Sequence, residues 1–356
     1  MNIKTLNQIL EIAFEKRVSD VHFEVGNPPF FRGRGQLVRS KLQNLAPEDT
    51  QFIASCIMEH NGRTLPDALR EIDTSYSLPN GGRFRTSIFR QRGHIGIVMR
   101  VIPPHVANFK DLHLPPVLGE IVKAPNGLIL VTGPTGNGKS TTLASMLRFI
   151  NEKFNYNIVT IEDPIEFLFA SKNSCIIQRE VGIDTEDFST ALRASLRMDP
   201  DVIMVGEMRD AETIESCLKA AETGHLVLST LHTQNAVSTI NRIVGNFPPE
   251  GQEIIRQRLA DILVATVSLR LIKDKSGEHI LPVVEVMRST TTIQACIREG
   301  RLEEIRKHIE NGRAQYHMQS MDQHLIHLCK QKVITLEEAK RVSNSLDLER
   351  KLTFTS

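Results

Sequence analysis

The sequence predicts an α/β protein in two parts, on three observations. From about residue 113 short apolar runs alternate with helical stretches, as in a mostly parallel sheet covered by helices on both faces. A glycine-rich turn, Gly133 to Ser140, joins one of those runs to one of those helices. Residues 1 to about 100 follow a different, α+β pattern. A chain of 356 residues is long enough to bury two separate cores.

Taken in order, residues 1–14 place Leu6, Ile9, Leu10, Ala13 and Phe14 at helical spacing and lack the basic and apolar blocks of a signal peptide. An alternating strand is expected at Val21, Phe23 and Val25, then a helix over about 48–60. Two further strands, Arg83 to Phe89 and Ile95 to Arg100, flank Gln91-Arg-Gly93, a hairpin turn with glycine at its left-handed position. Ile102-Pro-Pro and Leu114-Pro-Pro interrupt regular structure, which puts a linker over 102–113 between an amino-terminal domain, 1–101, and a core, 114–288.

In the core, Gly127 to Thr132 is a buried strand and Thr141 to Phe154 a helix. Further buried strands are expected at Ile158 to Ile161, Val202 to Val205 and Leu226 to Leu231. Asp210 caps a helix over 211–223 that Gly224 ends. The most apolar helical segment is expected near 259–272. It carries Asp261 and Arg270, and no run reaches the roughly 18 apolar residues of a membrane span. Only helical patterns follow 288, with a capping box at Thr335-Leu-Glu-Glu338, so 289–356 reads as a helical subdomain.

Composition excludes some functions. The chain is 40% hydrophobic and 24% charged with net charge +1, and has no Trp and only three Tyr. That argues against single-strand nucleic-acid binding, which needs basic grooves and stacking aromatics. Its five cysteines are widely spaced, which predicts reduced thiols and neither a disulfide framework nor a zinc clamp.

The chemistry centres on Gly133-Pro134-Thr135-Gly136-Asn137-Gly138-Lys139-Ser140, followed by Thr141. This GxxxxGK[ST] pattern sits between a predicted strand and a predicted helix, the context that gives it meaning. Glycines let amides turn toward phosphate oxygens, Lys139 neutralises the β and γ phosphates of ATP, and Ser140 offers a hydroxyl to Mg²⁺. Asp201-Val-Ile-Met-Val-Gly-Glu207 is an apolar strand ending in an acid, and Glu207 is the general-base candidate. Glu162 and Asp163 follow another buried strand, either as a solvated turn or as holders of Mg²⁺ and its waters. His225 and His232 bracket the strand 226–231, so at most His232, at its carboxyl end, faces the nucleotide. Arg83, Arg85 and Arg100 lie on or near the hairpin, where they form either a solvated strand face or arginine fingers.

The ordered motifs GPTGNGKSTTLASM (133–146), TIEDPIEF (160–167), RASLRMDPDVIMVGEMRD (193–210) and ETGHLVLSTLHT (222–233) resemble the secretion ATPases of type II and type IV pilus systems. They correspond to that family's Walker A loop, Asp box, Walker B strand and His box. The resemblance implies a RecA-like P-loop ATPase domain preceded by a PAS-like domain, assembled as a homohexamer. ATP would lie between the domains, with arginines of the amino-terminal domain completing the sites. It further implies Glu207 as catalytic glutamate, Glu162 and Glu166 in the Asp box, and His225 and His232 in the His box.

The absence of both an extra amino-terminal domain and a four-cysteine zinc motif points to the pilus-retraction branch. The expected role is therefore a cytoplasmic motor, acting at the inner membrane on a pilus platform protein. The stretch Thr292-Ile-Gln-Ala-Cys-Ile-Arg-Glu299 keeps only the Ile-Arg-Glu end of that branch's carboxyl-terminal motif. An accessory, extension or type IV secretion motor therefore stays open. So, from other classes, do a nucleic-acid translocase and a nucleotide-dependent switch.

Overall fold

A computed structural model describes residues 1–33, 35–103, 105–343 and 348. The chain divides into two units. The first comprises Met1–His105 with Asp163–Leu168 and Glu180–Glu186; the second comprises Val106–Glu162, Phe169–Arg179 and Asp187–Ser356.

The first unit is an α+β layer. Its elements are α1 (Ile3–Glu15), β1 (Asp20–Phe23), β2 (Phe30–Gly33), β3 (Gln36–Arg39), α2 (Pro47–His60), β4 (Glu71–Ser77), β5 (Arg83–Gln91) and β6 (His94–Ile102). The strands form one antiparallel sheet in the order β3-β2-β1-β6-β5-β4. Asn2 caps α1 by accepting from the Thr5 amide, and Leu6, Ile9, Leu10 and Ala13 are buried in one core with Ile53, Ile57, Phe84, Ile88 and Ile97. Along β5 buried Phe84, Thr86 and Ile88 alternate with half-buried Arg83, Arg85 and Ser87, as the period of a half-covered sheet requires. Gln91 pairs with His94, so the hairpin loop is only Arg92 and Gly93, with φ of 50° and 81°. Both residues, and not the glycine alone, take the left-handed conformation of a two-residue hairpin turn.

The second unit is the P-loop α/β layer. Its elements begin with α3 (Leu118–Ile121), β7 (Gly127–Thr132), α4 (Lys139–Lys153), β8 (Asn157–Glu162), β9 (Cys175–Glu180), α5 (Phe188–Ser195), β10 (Val202–Val205) and α6 (Ala211–Glu222). They continue with β11 (Leu226–Leu231), α7 (Ala236–Val244), α8 (Gln252–Ile262), β12 (Leu263–Lys273) and β13 (Ile280–Arg288). A helical tail follows: α9 (Thr291–Glu299), α10 (Ile305–Asn311), α11 (Arg313–Tyr316), α12 (Met321–Lys330) and α13 (Leu336–Val342). The sheet runs β13-β12-β7-β11-β10-β8-β9. The pairings from β12 to β8 are parallel, and β13 is antiparallel to β12. Every residue of β7, β10 and β11 is buried, which is why these strands read as nearly continuous apolar runs.

The segment 259–272 differs from the expectation of one apolar helix. Helix α8 stops at Ile262, Leu263 turns to extended backbone, and β12 takes the rest as an inner strand between β7 and β13. An apolar run without clear periodicity suits a buried strand or a buried helix equally, and here the β-branched Val264, Thr266 and Val267 fit the pleated surface. Strands β2, β3 and β9 are too short or too mixed in polarity to stand out in the sequence. Asp210 caps α6 by accepting from the Thr213 amide, and Gly224 after it has φ 102°. Among the described residues no helix is long and apolar enough to cross a membrane.

Candidate active site

The carboxyl ends of β7, β8, β10 and β11 lie along one edge of the parallel sheet, and each is followed by residues that can handle a phosphate. After β7 the chain enters the loop at Gly133, whose φ is 149°. A Cβ there would stand 2.5 Å from the Leu269 carbonyl of β12, so only glycine lets the loop pass this close to the neighbouring strand. Gly138, at φ 82°, turns the loop into α4.

Lys139 is 8% exposed, and a buried cation needs partners. Its Nζ donates to the carbonyls of Gly133 at 2.9 Å and Pro134 at 3.2 Å and reaches Nδ1 of His232 at 3.5 Å. The ammonium thus folds back on the loop that it would serve. Ser140 and Thr141 are half-buried in the first turn of α4, where helix amides lack intrahelical acceptors and favour anions. Pro134, Thr135 and Gly136 are exposed. Asn137 does more than fill a free position: its Oδ1 accepts from the Leu271 amide at 2.8 Å, and its Nδ2 donates to the Pro134 and Thr135 carbonyls at 3.3 Å. It ties the loop to β12.

Glu207 follows β10, with its side chain 15% exposed. Its Oε2 lies 3.0 Å from Nε2 of His232, and its Oε1 forms an ion pair with Arg209. His232, directly after β11, also meets the Thr135 hydroxyl at 3.3 Å through Nδ1. Burial, then Lys139 and Arg209, holds the His232 pKa below its ordinary 6.5. His225 stands at the other end of β11, where Nδ1 lies 2.9 Å from the Ala220 carbonyl, away from this edge.

Glu162, the last residue of β8, is 6% exposed. Its Oε1 accepts from the Thr160 hydroxyl at 2.7 Å and from Gln178 Nε2 at 3.1 Å. Asp163 and Glu166 are exposed and belong to the first unit. The oxygen donors of Ser140 and Glu162 are the hard type that Mg²⁺ accepts. Gln178 and Arg209 escaped sequence analysis, because nothing in their spacing ties them to the loop.

The three arginines differ in their engagements. Arg83 donates to the Ser75 and Ser77 hydroxyls at 2.9 and 3.1 Å and pairs with Glu180. Arg100 Nε donates to Asp20 at 3.0 Å. Arg85, opposite Arg100 in the register of β5 and β6, makes no side-chain hydrogen bond or ion pair to a described residue.

A cavity of about 300 Å³ adjoins the loop, lined by Leu112, Leu114, Thr141, Thr142, Leu269 and Leu271 among others. Beside a phosphate loop, an apolar hollow of that size suits an aromatic base.

A loop of this build against a strand-end glutamate, on a sheet of this topology, defines a P-loop ATPase, and that is the class into which this chain falls. More narrowly, the chain belongs to the family of type II/IV secretion system proteins, which matches it over residues 1–348. It is 42% identical over 313 residues to the twitching motility protein of Neisseria gonorrhoeae, covering 88% of this chain and 83% of that one. To the type IV pilus retraction ATPase PilT of Pseudomonas aeruginosa it is 40% identical over 335 residues, 94% of this chain and 97% of that one. A crystal structure of the pilus retraction motor PilT with bound ADP has 44% sequence identity and a TM-score of 0.88, covering 98% of this chain and 99% of that one.

Proposed function

We propose that this chain is a motor of type IV pilus retraction. It hydrolyses ATP with Mg²⁺ as a homohexamer at the cytoplasmic face of the inner membrane, and works on a pilus platform protein without direct contact to nucleic acid. The observation that carries hydrolysis is the line Lys139, His232, Glu207, which joins the phosphate loop to a carboxylate base through one imidazole. Retraction rests on the end-to-end likeness to proteins that bear that name.

The β and γ phosphates of ATP take over the Lys139 ammonium from the Gly133 and Pro134 carbonyls, while the base enters the cavity beside Leu269 and Leu271. Glu207 orients a water on the γ phosphate and accepts its proton as the bond to ADP breaks. Ser140 and Glu162, with Asp163 next in sequence, would hold Mg²⁺ and its waters, which supplies positive charge to the phosphoryl oxygens. Neutral His232 keeps Glu207 aimed by donating Nε2–H to its carboxylate, while its other nitrogen, an acceptor, faces the Lys139 ammonium. Of the arginines, Arg85 is the one without a competing bond, and it is assigned to the site of a neighbouring subunit.

Deleting the gene in its host and imaging pili tests this function. Long, unretracted pili that the wild-type gene corrects and Glu207→Gln does not are the expected outcome; bald cells would assign the motor to assembly. The altered stretch Thr292 to Glu299 favours a second reading, an accessory motor, for which deletion would leave pili still retracting.

A further inference from the structure

Away from the nucleotide edge, the helical tail brings together three side chains that the ATPase chemistry does not use. Helix α9 ends at Glu299, and Gly300, at φ 73°, reverses the chain. A 3₁₀ turn, Leu302–Glu304, then leads into α10. The reversal lays Glu304, the last residue of that turn, and His308, four residues on in α10, over Cys296 of α9. One ligand atom from each lies within 4.8 Å of the other two.

We propose that Cys296, Glu304 and His308 form a Zn²⁺ site with three protein ligands and an open fourth position. For three points so spaced, a centre no more than about 2.8 Å from each exists, against the roughly 2.0–2.3 Å of zinc bonds to nitrogen, oxygen and sulfur. Side-chain movement of about 0.5–0.8 Å per ligand closes the gap. The donor set selects the metal: thiolate with imidazole is borderline-soft, which excludes Mg²⁺ and Ca²⁺ and suits Zn²⁺.

The local polar groups fit such an ion. Cys296 is fully buried, whereas Glu304 and His308 are half-buried, so the thiol forms the floor of the site and the other two its rim. His308 Nε2 already stands 3.9 Å from Glu304 Oε2. Arg301 holds Glu304 at 2.5 Å through Nη1, and it also holds Glu299 at 2.7 Å through Nε. Arg301 therefore keeps a carboxylate partner when Glu304 turns to the metal, and Glu304 retains a second oxygen. Glu299 and Glu303 add negative charge nearby. The site would staple α9 to α10 across the turn at Gly300, in the very stretch where this chain departs from the retraction motif. The sequence alone pointed away from zinc because its cysteines are not paired; a single thiol completed by α10 has no such signature.

Cobalt substitution tests the assignment on the full-length protein with Cys175→Ser as background, since Cys175 is the exposed thiol. Co²⁺ should give a thiolate-to-cobalt charge-transfer band at one equivalent, lost in Cys296→Ala and displaced by Zn²⁺. Competition against a chromophoric chelator should show zinc bound at least about tenfold more weakly in Cys296→Ala and His308→Ala, a first-ligand loss costing no less than an outer-shell one. His308→Ala removes a half-buried side chain and keeps the test valid if Cys296→Ala folds poorly. No thiolate band in the parent protein, or unchanged zinc affinity in His308→Ala, overturns the site.

Discussion

His232 Nε2 lies 3.0 Å from Glu207 Oε2 while Nδ1 of the same ring faces the Lys139 ammonium at 3.5 Å. An ammonium only donates, so Nδ1 accepts and Nε2 carries the proton it gives to Glu207. The ring works in its neutral form, and a pKa held below 6.5 by burial and by Lys139 and Arg209 keeps it so near neutral pH. Protonation at Nδ1 would set a second cation against Lys139. ATPase turnover should therefore fall along an acid limb whose midpoint lies below pH 6.5. In His232→Gln this limb should shift or vanish. A midpoint at or above 6.5, unchanged in the variant, would remove His232 from the titration.

Glu207→Gln keeps the shape of the side chain and deletes the base. It should bind ATP with affinity near that of the parent protein and turn over at least about 100-fold more slowly. The ion pair with Arg209 is also lost, so a rate close to that of the parent protein would place the base elsewhere. Single-turnover hydrolysis beside an equilibrium nucleotide titration separates the two effects.

Much of this edge was legible because its chemistry is local. Gly133 to Ser140, Glu162, Glu207 and His232 each directly adjoin a buried apolar run, so the period of the strands placed them at one end of a parallel sheet. What lay between distant segments was not legible. Asn137 reaching the Leu271 amide, Gln178 steadying Glu162 and Cys296 beneath His308 all depend on register or on a chain reversal that no spacing announces. The segment 259–272 failed for a different reason: burial on all sides erases the periodicity that tells helix from strand.

Asn137 permits a separation of stability from affinity. Asn137→Ala strips the Leu271 amide of its acceptor and should cost about 1–3 kcal/mol in chemical unfolding. Asn137→Asp can still accept that bond but brings a negative charge beside the phosphates. It should therefore unfold near the parent midpoint and bind ATP much more weakly. Equal losses of stability in both variants would mean that the contact to β12 contributes little.

His324 accepts from the Val284 amide at 2.9 Å and is largely buried between α12 and β13, with His327 and Arg313 adding positive charge. Burial, then His327, lowers its pKa from 6.5 to about 4. A depressed histidine pKa means that the unfolded chain binds the proton first, so its stability contribution is complete above pH 6.5 and lost as pH falls toward 4. The loss across that window is about 3 kcal/mol. His324→Asn, whose amide oxygen can accept the same bond, should flatten this part of the stability profile. If denaturant midpoints between pH 7 and 5 fall equally in both proteins, His324 does not govern the acid sensitivity.

The arginines allow the proposed division of labour to be tested on one strand. Arg83 neutralises Glu180, whose side chain is 2% exposed and which also accepts from the Ile165 amide at 3.2 Å. Arg83→Ala leaves that carboxylate buried without its cation, and should destabilise the first unit by about 3–5 kcal/mol. Arg85 balances no such charge, so Arg85→Ala should melt like the parent protein while losing turnover. If its guanidinium acts on a neighbour's nucleotide, mixing inactive Arg85→Ala with inactive Lys139→Ala should restore activity, because some mixed interfaces pair an intact loop with an intact arginine. The recovered rate should peak at intermediate ratios. No recovery at any ratio, with mixed assembly confirmed by mass, would confine Arg85 to its own subunit.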